Sequence, residues 1–379
     1  MIYFDAAATT LEKPRKVREA MASAVNAMAS PGRGGHEAAR RAEETAFLCR
    51  SEAAKLFGVS DPARVIFTSN ATHALNIAIR TLVKPDSRVI ISGLEHNAVT
   101  RVLHSIPRVR VHVVHTPLFQ QEITLQGFEH ALKEGTDAVI CTHVSNVFGA
   151  ILPIEQIAAL CCSNGVPLIV DASQSAGVLP LDLSSLGADF VAMPGHKGLY
   201  GPQGTGLLLC GREDVDPLLC GGTGSVSRQQ EMPGELPDRL EAGTHNMPGI
   251  AGLLEGLRFI RQNGTEAIRA HEQGLLKKTA DAMERMEGIR LWRAEDPRQQ
   301  AGVLSFSVPG RDCEEISRLL SSRGVAVRSG LHCAPLAHQT AGTLEGGTVR
   351  LSFSAFNTPR QVNQFIAVLP SILRENVTL

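Results

Sequence analysis

Between Val65 and Leu209 the chain alternates seven short apolar runs with segments of helical period. The runs are Val65–Phe67, Arg88–Ile91, Val111–Val114, Ala138–Thr142, Leu168–Val170, Phe190–Met193 and Gly206–Leu209. Helical patterns fall at His73–Leu82, Asn97–His104, Leu125–Lys133 and Ile154–Ser163. The apolar runs are continuous rather than alternating, the pattern of strands covered by helices on both faces. The reading is therefore an α/β fold with a mainly parallel seven-stranded sheet, whose ligands bind at the carboxyl ends of the strands. Ahead of the sheet, helical patterns run from Pro14 to about Met28 and, after the break Ser30–His36, to about Phe57.

Beyond the seventh run the pattern changes. Gly221 to Gly243 is rich in Gly, Pro and charge and predicts an irregular excursion, placed at a subunit interface. Pro248–Gln262 and Thr265–Met286 read as long helices. A smaller α+β set follows: strands at Gly302–Ser307, Val325–Val327 and Val349–Phe353, a helix at Cys313–Ser322, and a last helix from Pro359 with Val362, Phe365, Ile366, Leu369, Ile372 and Leu373 on one face. The expected division is a large domain over 15–255 and a small α+β domain from 1–14 and 256–379.

Composition narrows the classes. Apolar residues make up 43% and charged residues 20% of 379, with a formal net charge of -1, so no global field recruits nucleic acid or an anionic membrane. The eight cysteines show no CxxC pair and no zinc-ligand spacing, which points to free thiols in a reducing compartment and to no metal site. The first residues lack the basic and apolar regions of a signal peptide, and no apolar run reaches 18 residues, so a cytoplasmic protein is expected. No GxGxxG opens the first strand–helix turn, which disfavours a nicotinamide-binding enzyme.

Two charged groups stand at strand ends. Asp171 closes Leu168-Ile169-Val170, where burial is costly without a cationic partner, although an acid there serves equally as a turn residue. Lys197 follows Phe190–Met193 in the loop Gly195-His196-Lys197-Gly198-Leu199-Tyr200-Gly201-Pro202. An acid for a pyridinium nitrogen and a lysine for an aldehyde are the two charges a pyridoxal-phosphate enzyme needs. Thr68-Ser69-Asn70-Ala71-Thr72, between a strand and a helix start, is either a phosphate site or a plain set of caps. Glu95-His96 and His143-Val144-Ser145-Asn146 also follow strands and converge on the same edge.

Gly195-His196-Lys197-Gly198-Leu199-Tyr200-Gly201-Pro202, with Val170-Asp171-Ala172-Ser173-Gln174 upstream, resembles the fold-type I pyridoxal-phosphate enzymes of aminotransferase class V, and within them the cysteine desulfurases and selenocysteine lyases. The likeness runs from Asp5-Ala6-Ala7-Ala8-Thr9-Thr10 to Arg350-Leu351-Ser352-Phe353. It implies that Lys197 bonds the cofactor aldehyde, Asp171 pairs with the ring nitrogen, and Gln174 and Asn146 reach the ring oxygen, Asn146 also meeting the substrate. His96 would stack on the ring and move protons. Ala71, Thr72 and His196 would hold the phosphate, with Thr244 supplied by the neighbouring subunit of a homodimer. Arg350 would bind the substrate carboxylate, with Ala7 and Arg328 beside it.

Arg328-Ser329-Gly330-Leu331-His332-Cys333-Ala334 resembles the Arg-x-Gly-His-His-Cys-Ala segment of group II desulfurases, with Leu331 in place of the first histidine. Cys333 is then the expected nucleophile, taking sulfur from L-cysteine as a persulfide for an acceptor protein, its thiol activated by His332 and Arg328 if they face it. Pro194 stands where desulfurases carry a serine and forfeits one phosphate contact. Arg33 and His36 fall where the family brings partner residues to the site mouth, on a different spacing. Selenocysteine lyase activity, a class V aminotransferase or lyase with an incidental Cys333, and a non-catalytic sulfur-relay scaffold are the alternatives.

Overall fold

The computed structural model describes residues 1–32 and 34–375, so Arg33 lies outside the described residues. The chain opens with a short strand, β1 (Ile2–Tyr3), and two helices, α1 (Arg15–Ala27) and α2 (Glu37–Leu56). Next come β2 (Val65–Thr68), α3 (Ala71–Leu82), β3 (Arg88–Ser92), α4 (Asn97–His104), β4 (Arg110–Val114), α5 (Gln121–Leu132), β5 (Ala138–Thr142), α6 (Ile154–Ser163), β6 (Leu168–Asp171), α7 (Leu183–Leu186), β7 (Phe190–Pro194) and β8 (Gly206–Cys210). Strands β2 to β8 form one sheet in the order β2-β8-β7-β6-β5-β3-β4. Pairing is parallel except on both sides of β8.

The continuous apolar runs have their physical reason in this layering. Along β5 to β8 every residue is buried, and successive side chains enter opposite cores. Val139, Cys141, Val170, Val191 and Leu209 meet one layer, while Ile140, Ile169, Phe190, Ala192 and Leu208 meet the other. Each fully buried Val, Leu or Ile contributes about 1.5–3 kcal/mol. β4, at the sheet edge, is largely exposed, and its Arg110 and His112 are tolerated for that reason.

No helix or strand forms between Gly221 and Gly243, matching the expected excursion. α8 (Met247–Asn263) packs against α1 and α2 and runs without interruption through residue 255, so a domain division there would lie along a continuous helix. α9 (Thr265–Met283) leads to β9 (Arg290–Trp292), β10 (Val303–Ser307), α10 (Cys313–Ser322), β11 (Val325–Ala326), β12 (Arg328–Gly330), α11 (Pro335–Ala341), β13 (Thr348–Ser352) and α12 (Pro359–Arg374). β12, β13, β10 and β9 make an antiparallel sheet, and β1 returns to pair in parallel with β11. A separate core of Phe4, Leu304, Phe306, Ile316, Leu351, Val362, Phe365 and Leu369 joins the N-terminal segment to this unit. No helix among the described residues is long and apolar enough to cross a membrane.

Candidate active site

The register of the large sheet assembles the site. Thr68 and Pro194 both pair with Gly206, and Asp171 pairs with both Thr142 and Ala192. The carboxyl ends of β2, β5, β6 and β7 thus share one edge with the start of β8. That edge carries the α3 start, the segment His143–Asn146, Asp171 and the loop Gly195–Lys197.

Asp171 is 3% exposed, and its Oδ1 accepts the Ser173 amide at 2.9 Å. It forms no ion pair among the described residues, so the edge holds a buried anion that lacks a cationic neighbour in contact. Burial lowers the Lys197 pKa to about 8; the charges of Arg350 and Arg328 act in the same sense, and Asp171 and Asp5 oppose them. Lys197 therefore gives up its proton far more readily than a lysine in water. Burial also pulls His96 down to about 4, with Asp171 opposing and Lys197, Arg328 and Arg350 adding to the drop. Its Nδ1 accepts the Ala98 amide at 3.0 Å, which places the imidazole proton on Nε2.

The α3 start has the chemistry of an anion site. Asn70 caps it by accepting the His73 amide at 2.9 Å, while the Ala71 and Thr72 amides have no acceptor among the described residues. The first two amides and the positive end of a 12-residue helix are thus free. His196 has a buried Nδ1 without a hydrogen-bond partner, and burial lowers its pKa to about 4.

The smaller sheet supplies the opposite wall. β12 and β13 pair with Arg328 opposite Arg350. Arg350 is 1% exposed; Nη1 donates to the Asn146 carbonyl at 2.9 Å and Nη2 to Asp5 Oδ1 at 2.6 Å. Asn146 in turn donates to the His332 carbonyl at 2.8 Å. Cys333 is exposed, its carbonyl accepts the Asn97 amide at 2.8 Å directly after His96, and Arg328 Nη2 lies 3.7 Å from its Sγ. Both His332 and Cys333 adopt positive φ, 50° and 57°, sparsely populated for side-chain-bearing residues and frequent at functional loops.

One expectation meets the structure differently. His332 does not face the thiol: it is 3% exposed, and its Nε2 lies 3.1 Å from the Thr348 carbonyl inside the protein. Arg328 alone of the two expected activators contacts Sγ. His36 is the exposed N-cap of α2, its Nδ1 accepting the Ala39 amide. Thr244, expected from a neighbouring subunit, is exposed and borders two open cavities of about 400 and 780 Å³, the smaller of them also lined by Thr68, Ser69 and His73 at the α3 start.

The N-terminal segment contributes contacts that the strand pattern does not disclose. The Gln174 side-chain amide donates to the Ala7 carbonyl at 3.0 Å, and the Ala7 amide donates to Ser352 Oγ at 2.8 Å. The His196 carbonyl, one peptide before Lys197, faces the Thr10 amide at 3.1 Å, Thr10 Oγ1 at 3.0 Å and Lys13 Nζ at 2.9 Å. The segment thereby fixes the lysine loop. Glu95 was visible in the sequence as a strand-end acid without a role. It is fully buried, accepts Ser92 Oγ at 2.5 Å and the Thr142 amide at 2.7 Å, and is pushed up to about 8 by burial, so it ties β3 to β5 as a neutral acid.

Fold and edge together are those of an α/β enzyme with a lysine-centred, anion-seeking site. The chain belongs to the aminotransferase class-V family, whose model matches residues 2–365. It is 31% identical over 376 residues to a probable cysteine desulfurase of Methanothermobacter thermautotrophicus, covering 95% of this chain and 92% of that protein. A probable cysteine desulfurase of Mycolicibacterium paratuberculosis is 31% identical over 98% of this chain, which spans 55% of that relative's length. The apo structure of a cysteine desulfurase from Thermococcus onnurineus superposes with a TM-score of 0.90 at 30% identity, covering 98% of this chain and 94% of that one.

The family implies pyridoxal phosphate as cofactor, and the residues here fit it. A pyridinium would answer the unpaired Asp171, a phosphate the free α3 amides and the unpartnered His196 Nδ1, and an aldehyde the deprotonable Lys197.

Proposed function

We propose that the protein is a pyridoxal-phosphate-dependent cysteine desulfurase that converts L-cysteine to L-alanine and leaves the sulfur as a persulfide on Cys333. The observation that carries this reading is the anchorage of the Cys333 loop. Its carbonyl is bonded to the first amide of α4, and its thiol meets Arg328, whose charge also reaches Lys197 and His96. Cys49, Cys141 and Cys210, by contrast, are buried, with burial pushing Cys49 and Cys210 up to about 12 and Cys141 well above the usual thiol value.

Pyridoxal phosphate, when bound, supplies an aldehyde that takes up an amine and an electron-poor ring that accepts the electrons released at the substrate's α-carbon. The chain supplies the rest. Lys197, which loses its proton more readily than a solvated lysine, would hold the aldehyde, and Asp171 would meet the ring nitrogen. His96 brings a neutral imidazole with its N–H on Nε2 to the same site, a hydrogen-bond donor that stays uncharged at neutral pH. Arg350 takes the carboxylate of the amino acid. Cys333, with Arg328 Nη2 3.7 Å from its Sγ, attacks the substrate sulfur as a thiolate. An S–S bond forms, the C–S bond breaks with its electron pair left on carbon, and that carbon takes a proton to give alanine.

The neighbouring copy of a homodimer would complete the phosphate site through Thr244, and an acceptor protein would collect the sulfur from the exposed Cys333. We also take 15–255 and the remainder as two units, and the cytoplasm as the location. Cys333→Ala tests the reading: alanine formation from L-cysteine is expected to stop while cofactor absorbance is kept. Persistence of alanine formation in that variant would instead support a desulfurating lyase with an incidental cysteine.

A further inference from the structure

Arg350 is the arginine expected to bind the substrate carboxylate, yet it already holds one from its own chain. Asp5 Oδ1 sits 2.6 Å from Nη2, with side-chain exposure of 1% for Arg350 and 18% for Asp5. Nη1 is committed to the backbone carbonyl of Asn146, a fixed group, and Nε is buried without a partner. A carboxylate that grips a guanidinium uses two nitrogens, and here Nη2, which makes one fork with Nε, already carries Asp5, while each terminal nitrogen keeps a second N–H.

Of the two occupants only Asp5 can yield. Its backbone is pinned, since its carbonyl accepts the Ala8 amide at 3.1 Å and the Tyr3 hydroxyl at 3.2 Å and it bridges to Ser352, but its side chain retains access to solvent. Arg328, opposite Arg350 in the sheet, makes no ion pair among the described residues and remains available as a second cation when Asp5 leaves.

We propose that Asp5 is a resident carboxylate on Arg350 that the substrate's own carboxylate displaces, which makes Asp5 a specificity-setting residue. This deepens the reading of Arg350 as the substrate's carboxylate anchor and rests on it. A free monocarboxylate gains too little to displace Asp5, whereas an amino acid that also engages Lys197's cofactor and Asn146 does. The resident acid thus raises the threshold for simple carboxylates.

Steady-state kinetics on the cofactor-loaded enzyme with L-cysteine and with L-cysteinamide, which lacks the carboxylate, test the proposal. Asp5→Asn is expected to lower KM for L-cysteine roughly three- to tenfold, the loss of one competing charge-assisted contact, and to leave KM for L-cysteinamide unchanged. A rise in KM for L-cysteine, the result of a purely supporting role, overturns it, as does an equal change for both substrates. Arg350→Gln separates the underlying reading: unchanged KM for L-cysteine in that variant removes the carboxylate anchor and the proposal with it. A readout without turnover uses cofactor-free protein, in which phenylglyoxal modification of Arg350 is followed by peptide mass. Asp5→Asn and Asp5→Ser are both expected to react faster and to be protected by lower acetate concentrations than the parent chain. Equal protection in all three overturns the proposal.

Discussion

Replacing Arg50 by Met tests how the segment carrying Thr244 is held. Glu241 and Arg50 have side chains 4% and 10% exposed. Glu241 Oε1 accepts Arg50 Nη1 at 2.8 Å and the Phe67 amide at 2.6 Å, while Oε2 takes Arg50 Nη2 at 2.5 Å and lies 2.8 Å from His245 Nε2. The guanidinium also sits over the Phe67 ring at 4.1 Å and donates to the Val65 carbonyl. Removing it leaves a buried carboxylate with His245 as its remaining ionisable neighbour. Breaking such a pair costs about 3–5 kcal/mol, far above the 0–1 kcal/mol of a surface pair. Burial works against ionisation of Glu241, but Arg50 and His245 outweigh it and hold its pKa below the usual value. The hydrogen bond to Glu241 raises the pKa of His245. The contribution of His245 is complete below its ordinary 6.5 and is lost as pH rises through its raised native value, so the Arg50→Met penalty is expected to grow from pH 6 to pH 9. Urea denaturation of the parent chain, Arg50→Met, Glu241→Gln and the double variant gives the numbers, and the double variant is expected to be more stable than the sum of the single losses by about 1–3 kcal/mol. A loss below about 1 kcal/mol for Arg50→Met, or strict additivity, would refute the reasoning. Because Thr244 lies between Glu241 and His245, weaker retention of pyridoxal phosphate is expected alongside the stability loss.

Further outcomes follow from other residues. Uptake of pyridoxal phosphate by cofactor-free protein should accelerate as pH rises towards about 8 and level off above it, because Lys197 loses its proton there; a profile still climbing steeply to pH 10.5 would place the amine in water. Lys197→Ala should abolish the absorbance of the covalently held cofactor. Glu272 is 5% exposed, makes no hydrogen bond among the described residues, and is pushed by burial from 4.5 to about 8. A raised native pKa gives stability that is complete below pH 4.5 and lost as pH rises towards 8. Glu272→Gln should therefore flatten the stability profile across that window, as read from denaturation at pH 5 and pH 8.

The large sheet was legible because its strands are buried on both faces, which writes them as apolar runs such as Ala138–Thr142 and Phe190–Met193. Helix ends were legible where caps stand, as at Asn70 and Thr358. β9 and β12 escaped notice because they are three-residue strands, and Arg328-Ser329-Gly330 has no strand propensity of its own; pairing with the buried β13 imposes it. Asp171 and Lys197 could be found locally, since Asp171 closes β6 and Lys197 follows β7 in a loop of glycines. The inward turn of His332 could not, because it depends on Thr348 across the sheet. Nor could the role of Asp5, which acquires its partner Arg350 only when the two ends of the chain meet.

The central claim is that sulfur passes from L-cysteine to Cys333. Cofactor-loaded protein mixed with L-cysteine in the absence of reductant, quenched in acid and digested without reduction, yields both products at once. The account predicts one alanine for each Cys333 peptide made heavier by one sulfur atom in the first turnover. Alanine formed with the extra sulfur on another cysteine or on none, or L-cysteine left unchanged, would contradict it.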